Sequence, residues 1–316
     1  NRYSFRANLD TQLKKWLKLG LSATYSSTND DLKLADSDAG IINYSLQTLP
    51  DIPIYDIDGN YATVVREGYT SPNPIALAMM DDILLGRQKL TGNVFFEVTP
   101  IKNLTWHAEL GYDISSSKGE RYKPMIDLGG WKRSKNESNI QKNSSTFWQL
   151  KNYVTYNGDI KDHHFTAMLG QECWESSYDY TSVFNNGLPS DAVHNPALGT
   201  GTPTIGAGFG SSSMASFFTR LTYNYADRYL ATYTYRYDGS SNFGPENRWA
   251  GFHSFATSWR FSNEKFFEPV KSVISNGKLR LGWGQTGNSS IGGYKWGTSM
   301  SRMPSGLGMG YRPSNI

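Results

Sequence analysis

Apolar and polar side chains alternate along much of the chain, most clearly over residues 228–261. In the first part of this stretch, four tyrosines and an alanine fall on one side, while threonine, arginine and aspartate fall on the other. The second part repeats the alternation after a segment rich in glycine, serine, asparagine and proline. A period of two predicts β-strands with one apolar and one wet face. The apolar face then contacts either a protein core or a lipid bilayer.

The same alternation recurs and predicts about ten strands of roughly ten residues each, joined by short and long connections in turn. The long connections are predicted at about residues 27–87, 115–145 and 176–213, where the alternation stops. The short connections all fall at one end of the array and the long ones at the other. This asymmetry predicts an all-β fold, a transmembrane antiparallel β-barrel with short periplasmic turns and long extracellular loops. A soluble β-sandwich with Greek-key crossings fits it less well.

The composition agrees with a barrel. Aromatic residues make up 14% of the chain, yet mean hydropathy is negative and no apolar run is long enough for a membrane helix. A carbohydrate-binding β-sandwich is an alternative with similar composition. The net charge is +3 and the basic residues are scattered, so no nucleic acid partner is expected. The single cysteine, Cys173, excludes an intrachain disulfide.

Three segments of the chain carry a resemblance to a known family. They are NRYSFRANLD with WLKLGLSATYS, then FTRLTYNYADRYLATYTYRYDGSSNFGPENRWAGFHSFATSWRFSNEKFF, and KLRLGWGQTGNSSIGGY. These segments resemble the SusC/RagA family of TonB-linked outer-membrane transporters of Bacteroidetes. The middle segment is the most specific, because strand, loop and strand all match. The resemblance covers the chain apart from its long loops, and His253 departs from the proline that the family usually has there.

The resemblance implies a fold and an activity. The chain would be the middle part of a barrel of roughly twenty-two strands, and the plug domain and the TonB box would lie outside residues 1–316. The family imports oligosaccharides or peptides across the outer membrane of Gram-negative bacteria, beneath a SusD-like lipoprotein and with energy from TonB. The expected surroundings are the bilayer and lipopolysaccharide. Neither enzyme activity nor a cofactor is expected.

Two further interpretations stay open. A passive porin-like channel would have a similar wall but would work without TonB. A barrel enzyme would need a Ser/His or Asp/His set near the outer rim. The five histidines, whose spacing supplies no such set, are His107, His163, His164, His194 and His253.

The alternation assigns candidate residues to the two strand faces. One group shares the polar face, where it would line the barrel interior, brace the wall or contact the plug, with substrate contact as the second role. This group comprises Arg220, Arg236, Asp238, Arg260 and Arg280. A second group shares the opposite face, where lipid contact or the interfacial aromatic girdle is expected. It comprises Tyr229, Tyr233, Tyr235, Tyr237 and Trp259.

Three tryptophans lie in or beside the predicted outer loops. Trp131, Trp174 and Trp249 are candidates for substrate binding, because an indole face can stack on a sugar ring. Packing inside a loop, or contact with the lipoprotein lid, is the alternative for each of them. Specificity in this architecture is expected in the long loops.

One loop segment resembles a calcium-binding loop. Asp56, Asp58, Asn60 and Glu67 have suitable oxygen ligands, with Glu67 at the twelfth position. The glycine, however, is Gly59, at the fourth position instead of the sixth that the EF-hand turn needs. We therefore interpret the segment as a hairpin tip and expect no metal, although a structural Ca²⁺ is the alternative.

Two other local patterns have ordinary structural interpretations. His163 and His164 are adjacent, so on a strand they point to opposite faces and cannot chelate one metal. Gly206, Gly208 and Gly210 resemble a phosphate-binding loop only superficially, because no strand-to-helix context follows. A flexible loop is expected there.

Overall fold

The computed structural model describes residues 1–32, 41–62, 68, 71–129, 131–292, 296–297, 300–305 and 308–313. Strands dominate these residues, and there are two short α-helices, α1 (Ile41–Gln47) and α2 (Pro74–Met80). The strands are β1 (Arg2–Lys14), β2 (Leu17–Asp31), β3 (Asp82–Ile101), β4 (Leu104–Lys123), β5 (Ile126–Asp127), β6 (Lys132–Arg133), β7 (Glu137–Ile160), β8 (His163–Asn186), β9 (Thr204–Tyr225), β10 (Tyr229–Ser240), β11 (Trp249–Trp259), β12 (Leu279–Gly284), β13 (Met300–Ser305) and β14 (Gly308–Pro313). Short 3-10 turns cover Pro196–Leu198, Pro245–Asn247, Phe261–Asn263 and Lys265–Val270. Within the described ranges no helix is long and apolar enough to cross a membrane.

Ten strands form one antiparallel sheet in the order β1-β2-β3-β4-β7-β8-β9-β10-β11-β12. Each strand therefore pairs with the next strand of the sheet along the chain, and β5 and β6 form a separate small hairpin inside one connection. The order contains no Greek-key crossing, as the alternation predicted. A soluble sandwich of the kind considered above is thereby excluded for this sheet.

The turns at one end of the sheet are tight. The connections β1–β2, β3–β4, β7–β8 and β9–β10 contain only two or three residues each. Four non-glycine residues in these turns have positive φ: Asn103 (70°), Lys161 (53°), Ala226 (51°) and Asp227 (52°). Consecutive left-handed residues at Ala226 and Asp227 match the twist of the flanking strands, as in a type I′ hairpin turn.

One connection contradicts the predicted separation of short and long connections. Residues 260–278 join β11 to β12 at the end that carries the tight turns, and they fold into two 3-10 turns. At the opposite end, the β10–β11 connection is only residues 241–248. The predicted asymmetry therefore holds for the β2–β3, β4–β7 and β8–β9 connections; residues 260–278 contradict it, and residues 241–248 form a shorter connection than it predicted.

The boundaries predicted for the three long loops, about 27–87, 115–145 and 176–213, were too wide. β4 continues to Lys123 and β7 begins at Glu137, and β8 and β9 likewise run to Asn186 and from Thr204. The extensions are rich in serine on both faces, and Ser115 pairs with Ser145 across β4 and β7. The alternation of apolar and polar residues disappears where both faces of the sheet are polar, although the hydrogen bonding between the strands continues. The loops therefore span residues 32–81, 124–136 and 187–203.

The glycines predicted to lie in a flexible loop lie in β9 instead. Gly208 and Gly210 face the rings of Tyr180 and Tyr178 of β8, and a Cβ atom on Gly208 would lie 2.4 Å from Tyr180 Cε1. Gly206 faces Ser182. Glycine is needed at these positions because bulky neighbours cover the strand, a reason that local sequence does not reveal.

We call the β2–β3, β4–β7 and β8–β9 connections the outer connections. Buried polar side chains join the β4–β7 and β8–β9 connections to each other and to β8. The Asn136 amide donates to Leu188 O at 3.2 Å and accepts from Leu188 N at 2.6 Å. The Asn185 amide donates to Pro196 O at 2.9 Å and to Gly199 O at 3.1 Å. These bonds satisfy loop backbone that would otherwise be buried without partners.

A small apolar cluster lies within the outer connections. Ala76 of α2 packs against Ile126 and Leu128 of the connection that holds β5 and β6, with Tyr61, Met80 and Trp131 around them. The Asn73 side chain accepts from Ile75 N and Ala76 N and caps α2. The β2–β3 and β4–β7 connections therefore fold together as one unit at this end of the sheet.

Candidate functional site

The two faces of the sheet differ sharply in chemistry. We call the side that carries Leu110 the apolar face and the side that carries Glu109 the polar face. At one level of the sheet, the apolar face presents Leu9, Leu21, Val94, Leu110, Leu150, Cys173 and Ala215 on successive strands. One residue further along, the polar face presents Asp10, Gly20, Phe95, Glu109, Lys151, Glu172, Ser216 and Asp238.

The large side chains of the apolar face are not buried in a core. Leu9 is 51% exposed, Leu110 is 46% exposed and Leu169 is 68% exposed. A row of exposed aliphatic side chains across many strands exceeds the scattered apolar residues of an ordinary soluble surface. This face is therefore built to contact an apolar medium.

All five aromatic residues assigned to the outer face lie on the apolar face. Tyr229 pairs with Trp259, Tyr233 with Phe255, and Tyr235 with His253, and Tyr237 has the same parity on β10. Contact of these side chains with lipid stays a prediction.

A branched ion-pair network on the polar face centres on Arg236 of β10. Its guanidinium donates to Asp238 at 2.7 Å, to Glu172 of β8 at 3.2 Å and to Ser216 of β9 at 2.8 Å. The Gln149 side chain of β7 also donates to Glu172. The network therefore links four neighbouring strands from the polar face.

The other basic residues assigned to the polar face differ in their surroundings. Arg220 is opposite Thr234 and Arg280 is opposite Ser258, both on the polar face. Neither forms a hydrogen bond or an ion pair within the described part of the chain.

The position of Arg260 corrects its assignment to the wall. The residue lies beyond the end of β11 and pairs with Asp227 of the β9–β10 turn. β11 ends at Trp259, so strand parity no longer sets the direction of the Arg260 side chain. Arg260 therefore stabilises a tight turn and does not belong to the ion-pair network around Arg236.

Glu264 is the centre of a second polar cluster at the same end. Its carboxylate accepts from the Tyr229 hydroxyl at 2.7 Å, from Trp259 Nε1 at 3.1 Å and from Arg228 Nη1 at 3.2 Å. The hydrogen bond from Tyr229, followed by that from Trp259, lowers the pKa of Glu264 below its ordinary value. The cluster ties the β9–β10 turn to the 3-10 turns after β11.

Sequence reasoning missed a histidine site in the polar face. His107 Nδ1 lies 3.3 Å from Glu97 Oε1, and His107 Nε2 lies 3.3 Å from Glu109 Oε2. The ring stacks between Phe95 and Tyr153, with centroids 5.4 and 4.7 Å away. The sequence gives no direct signal for this site, because a register shift between Val98 and Ile101, next to the tight β3–β4 turn, is what places Glu97 opposite His107.

The three candidate tryptophans do not form one binding surface. Trp131 packs against the cluster around Ala76, and the Arg133 guanidinium lies 5.3 Å from its ring. Trp174 lies within β8 on the polar face, opposite Gln149. Trp131 and Trp174 therefore lie in different environments, and substrate contact stays a prediction for these two residues.

The position of Trp249 argues against a substrate-binding role. It stacks on Tyr237 at 5.1 Å and on Phe217 at 6.2 Å, on the apolar face. Trp249 begins β11, so its side chain has the parity of the outward aromatic residues. It extends the aromatic group that was assigned to lipid or girdle contact.

The segment that resembles a calcium loop is a tight hairpin tip over its described residues. Asp56 Oδ1 accepts from Asp58 N and Asn60 N, both at 2.9 Å, and Gly59 has φ of 81°. The carboxylate is therefore used to close the turn, as the hairpin interpretation predicted. Glu67 lies outside the described residues.

The two adjacent histidines lie on opposite faces. His163 pairs with Tyr225 and His164 with Asn224 across β8 and β9. His163 Nδ1 lies 2.7 Å from the Tyr223 hydroxyl. No group of three metal-ligating side chains occurs in the ranges that the structure describes.

Comparison with known proteins gives relatives of one kind. No protein-family model matches the chain. The chain is 29% identical over 307 residues to a TonB-dependent receptor of Formosa agariphila, and 28% identical over 306 residues to TonB-dependent receptor SusC of Bacteroides thetaiotaomicron. These alignments cover 93% and 87% of this chain, but 30% and 29% of those receptors. The chain thus spans less than a third of the length of these relatives.

The fold also matches a solved structure. A chain in the structure of the RagAB peptide transporter superposes with a TM-score of 0.83 at 24% identity, over 100% of this chain and 36% of that chain. This match confirms the predicted all-β barrel fold class. The predicted resemblance is confirmed as well: over nearly its whole length the chain is similar to TonB-dependent receptors, SusC among them, and it has the fold of the matching part of the RagAB transporter.

Proposed function

We propose that this chain forms part of the wall of an outer-membrane β-barrel that imports nutrients with energy from TonB. The observation that carries the proposal is the division of one ten-stranded sheet into an exposed apolar face and a charged face. Alternating faces of this kind suit lipid on one side and a water-filled interior on the other. The similarity to TonB-dependent receptors supports energised import over passive diffusion.

In this proposal the polar face lines the lumen. Ion pairs such as Arg236 with Glu172 and Asp238 brace neighbouring strands, and the remaining charges keep the lumen hydrated. A hydrated wall suits polar cargo, so the substrate class is an oligosaccharide or a peptide. The protein would translocate its substrate without making or breaking a bond, and it needs no cofactor for that task.

The folded outer connections are the proposed docking surface for a SusD-like lipoprotein. Leu46 of α1 is 82% exposed, and Ile57 is fully exposed. Exposed aliphatic side chains on a folded outer unit suit a protein partner better than water. The same end of the barrel would face the outside of the cell, next to lipopolysaccharide.

The proposal is tested by uptake in cells. We would delete the encoding gene, restore it in full, and follow fluorescent oligosaccharides and peptides into cells that have or lack TonB. The proposed importer gives uptake that requires both the gene and TonB. Uptake that requires the gene but persists without TonB would identify a passive channel instead. Recovery of the protein in the aqueous phase without detergent would contradict the membrane location.

A further inference from the structure

A pocket lies at the outer end of the polar face, under the folded outer connections. Its floor consists of Ile83 of β3, Arg121 and Lys123 of β4, and Glu137 of β7. Register places Ile83 opposite Arg121 and Glu137 opposite Lys123, so all four belong to the polar face. Helices α1 and α2 and the segment with Trp131 cover the pocket, which has a volume of about 230 Å³.

The pocket has a surplus of positive charge. Its lining contains four cationic side chains and two carboxylates, which leaves two positive charges in excess. The cations are Arg121, Lys123, Lys132 and Arg133, and the carboxylates are Asp81 and Glu137. Lys123 pairs with Glu137 at 3.2 Å, and Arg133 pairs with Asp81 at 2.9 Å. Lys132 pairs with Asp127, which lies outside the pocket lining, at 2.7 Å. Three of the four cations are therefore already neutralised.

Arg121 is the remaining cation. It forms no hydrogen bond or ion pair with any residue that the structure describes, and its Nε is shielded from solvent without an acceptor. The shielded Nε is out of reach of a ligand, so the terminal guanidinium nitrogens, which no described residue engages, are the atoms that can bind a ligand oxygen. Guanidinium groups bind carboxylates through two parallel hydrogen bonds.

Trp131 supplies an apolar wall beside this charge. The Arg133 guanidinium lies 5.3 Å from the Trp131 ring and also donates to Pro124 O at 3.0 Å. Arg133 is thus committed to holding the tryptophan and the hairpin in place. The pocket therefore combines a fixed indole with one available guanidinium.

We propose that this pocket binds a carboxylate-bearing unit of the substrate, with Arg121 as its counter-ion and Trp131 as its apolar wall. The inference rests on the proposed function, because a pocket at the outer mouth of an import channel meets the substrate first. Its volume is below the roughly 300–1,000 Å³ of sites that enclose a whole drug-sized ligand. It therefore holds one unit of a longer chain, either a uronate of an acidic oligosaccharide or the terminal carboxylate of a peptide.

The test is calorimetric binding by the full-length protein in detergent. The probes are oligogalacturonate against its carboxyl-reduced neutral form, and a tetrapeptide with a free C-terminus against its C-terminal amide. One of the two carboxylate probes should bind roughly tenfold to a hundredfold more tightly than its neutral partner. The pair that shows the preference identifies the source of the carboxylate.

Three variants assign the effect to Arg121. Arg121→Gln should remove the preference for the carboxylate probe, and Arg121→Lys should retain part of it because the charge remains. Lys118→Gln removes the same charge from the apolar face of the same strand, and it should leave the preference unchanged. Lys118 is a suitable control because it pairs with Glu120, away from the pocket.

Two results would overturn the inference. One is equal binding of both members of each probe pair by the unaltered protein, and the other is an equal effect of Arg121→Gln and Lys118→Gln. If the import proposal is wrong and the pocket assignment is right, uptake will not require TonB, but the protein will still prefer the carboxylate probe. TonB-dependent uptake without any carboxylate preference would leave import standing and remove the pocket assignment.

Discussion

Replacement of Arg236 by methionine tests whether the ion-pair network around this residue stabilises the sheet. Arg236 joins β10 to β8 and β9 through Glu172 and Ser216, and it also contacts Asp238. The Glu172 and Asp238 side chains are 13% and 18% exposed, whereas that of Arg236 is 35% exposed. Methionine keeps most of the length of the side chain and removes its charge. The substitution therefore leaves two shielded carboxylates close together without their cation.

The expected loss follows from this partial exposure. Removal of one partner from a buried pair costs about 3–5 kcal/mol, whereas exposed pairs contribute about 0–1 kcal/mol. Arg236 lies between these limits, and solvent screens its exposed third. We therefore expect Arg236→Met to lower the free energy of unfolding by about 2 kcal/mol. Additional replacement of Glu172 and Asp238 by Gln and Asn should recover part of the loss, because the orphaned carboxylates are then neutral.

The assay is urea-dependent unfolding of the full-length protein in detergent, followed by the heat-modifiable shift of the folded band. Arg220→Met is the matched control, since Arg220 is on the same face and has no partner in the described part of the chain. The control should change the unfolding free energy by less than about 0.5 kcal/mol. Equal effects of Arg236→Met and Arg220→Met would refute the bracing role.

Two further predictions concern the end of the sheet that carries the tight turns and the strands themselves. The pKa of Glu264 is lowered in the folded protein, so its stabilising effect is present above the ordinary carboxyl pKa of about 4.3 and is lost as the pH falls through the lowered value. The difference in urea midpoint between the unaltered protein and Glu264→Gln should therefore shrink from pH 7 to below pH 4; a constant difference would contradict this. At Gly170, an added Cβ would lie 2.5 Å from Phe218 Cζ and 2.7 Å from Tyr153 Cβ, whereas at Gly111 the nearest atom is 3.9 Å away. Gly170→Ala should cost about 1–3 kcal/mol in the same unfolding assay and Gly111→Ala much less; similar costs would show that the ring contacts are unimportant.

Period-two alternation was sufficient to predict the sheet because each strand has one apolar face. The tyrosines from Tyr229 to Tyr237 define their strand without any other information, and the register with β11 agrees with that assignment. The prediction of strand ends failed where both faces of the sheet are polar. The serines near Ser115 and Ser145 give no alternation, although their strands continue.

Side-chain partners were harder to predict than strand faces. Arg260 follows the parity of β11 in sequence, but the strand ends one residue earlier and the side chain reaches Asp227. Trp249 begins a strand that was expected to start later, so its face could not be assigned from a loop. The surroundings of His107 depend on the exact pairing of β3 with β4, which includes a register shift between Val98 and Ile101 next to the turn. The pocket at Arg121 required the packing of two connections that are distant in sequence.

The central claim is that the apolar face contacts lipid and the polar face contacts water. It is tested most directly with nitroxide labels on single cysteines, in a cysteine-free variant of the full-length protein that carries Cys173→Ala, reconstituted in bilayers. Leu110→Cys reports on the apolar face and Gln149→Cys on the polar face of the adjacent strand. We expect the label at position 110 to collide mainly with oxygen dissolved in lipid, and the label at position 149 with a water-soluble nickel complex. Equal or reversed accessibilities would contradict the membrane wall described above.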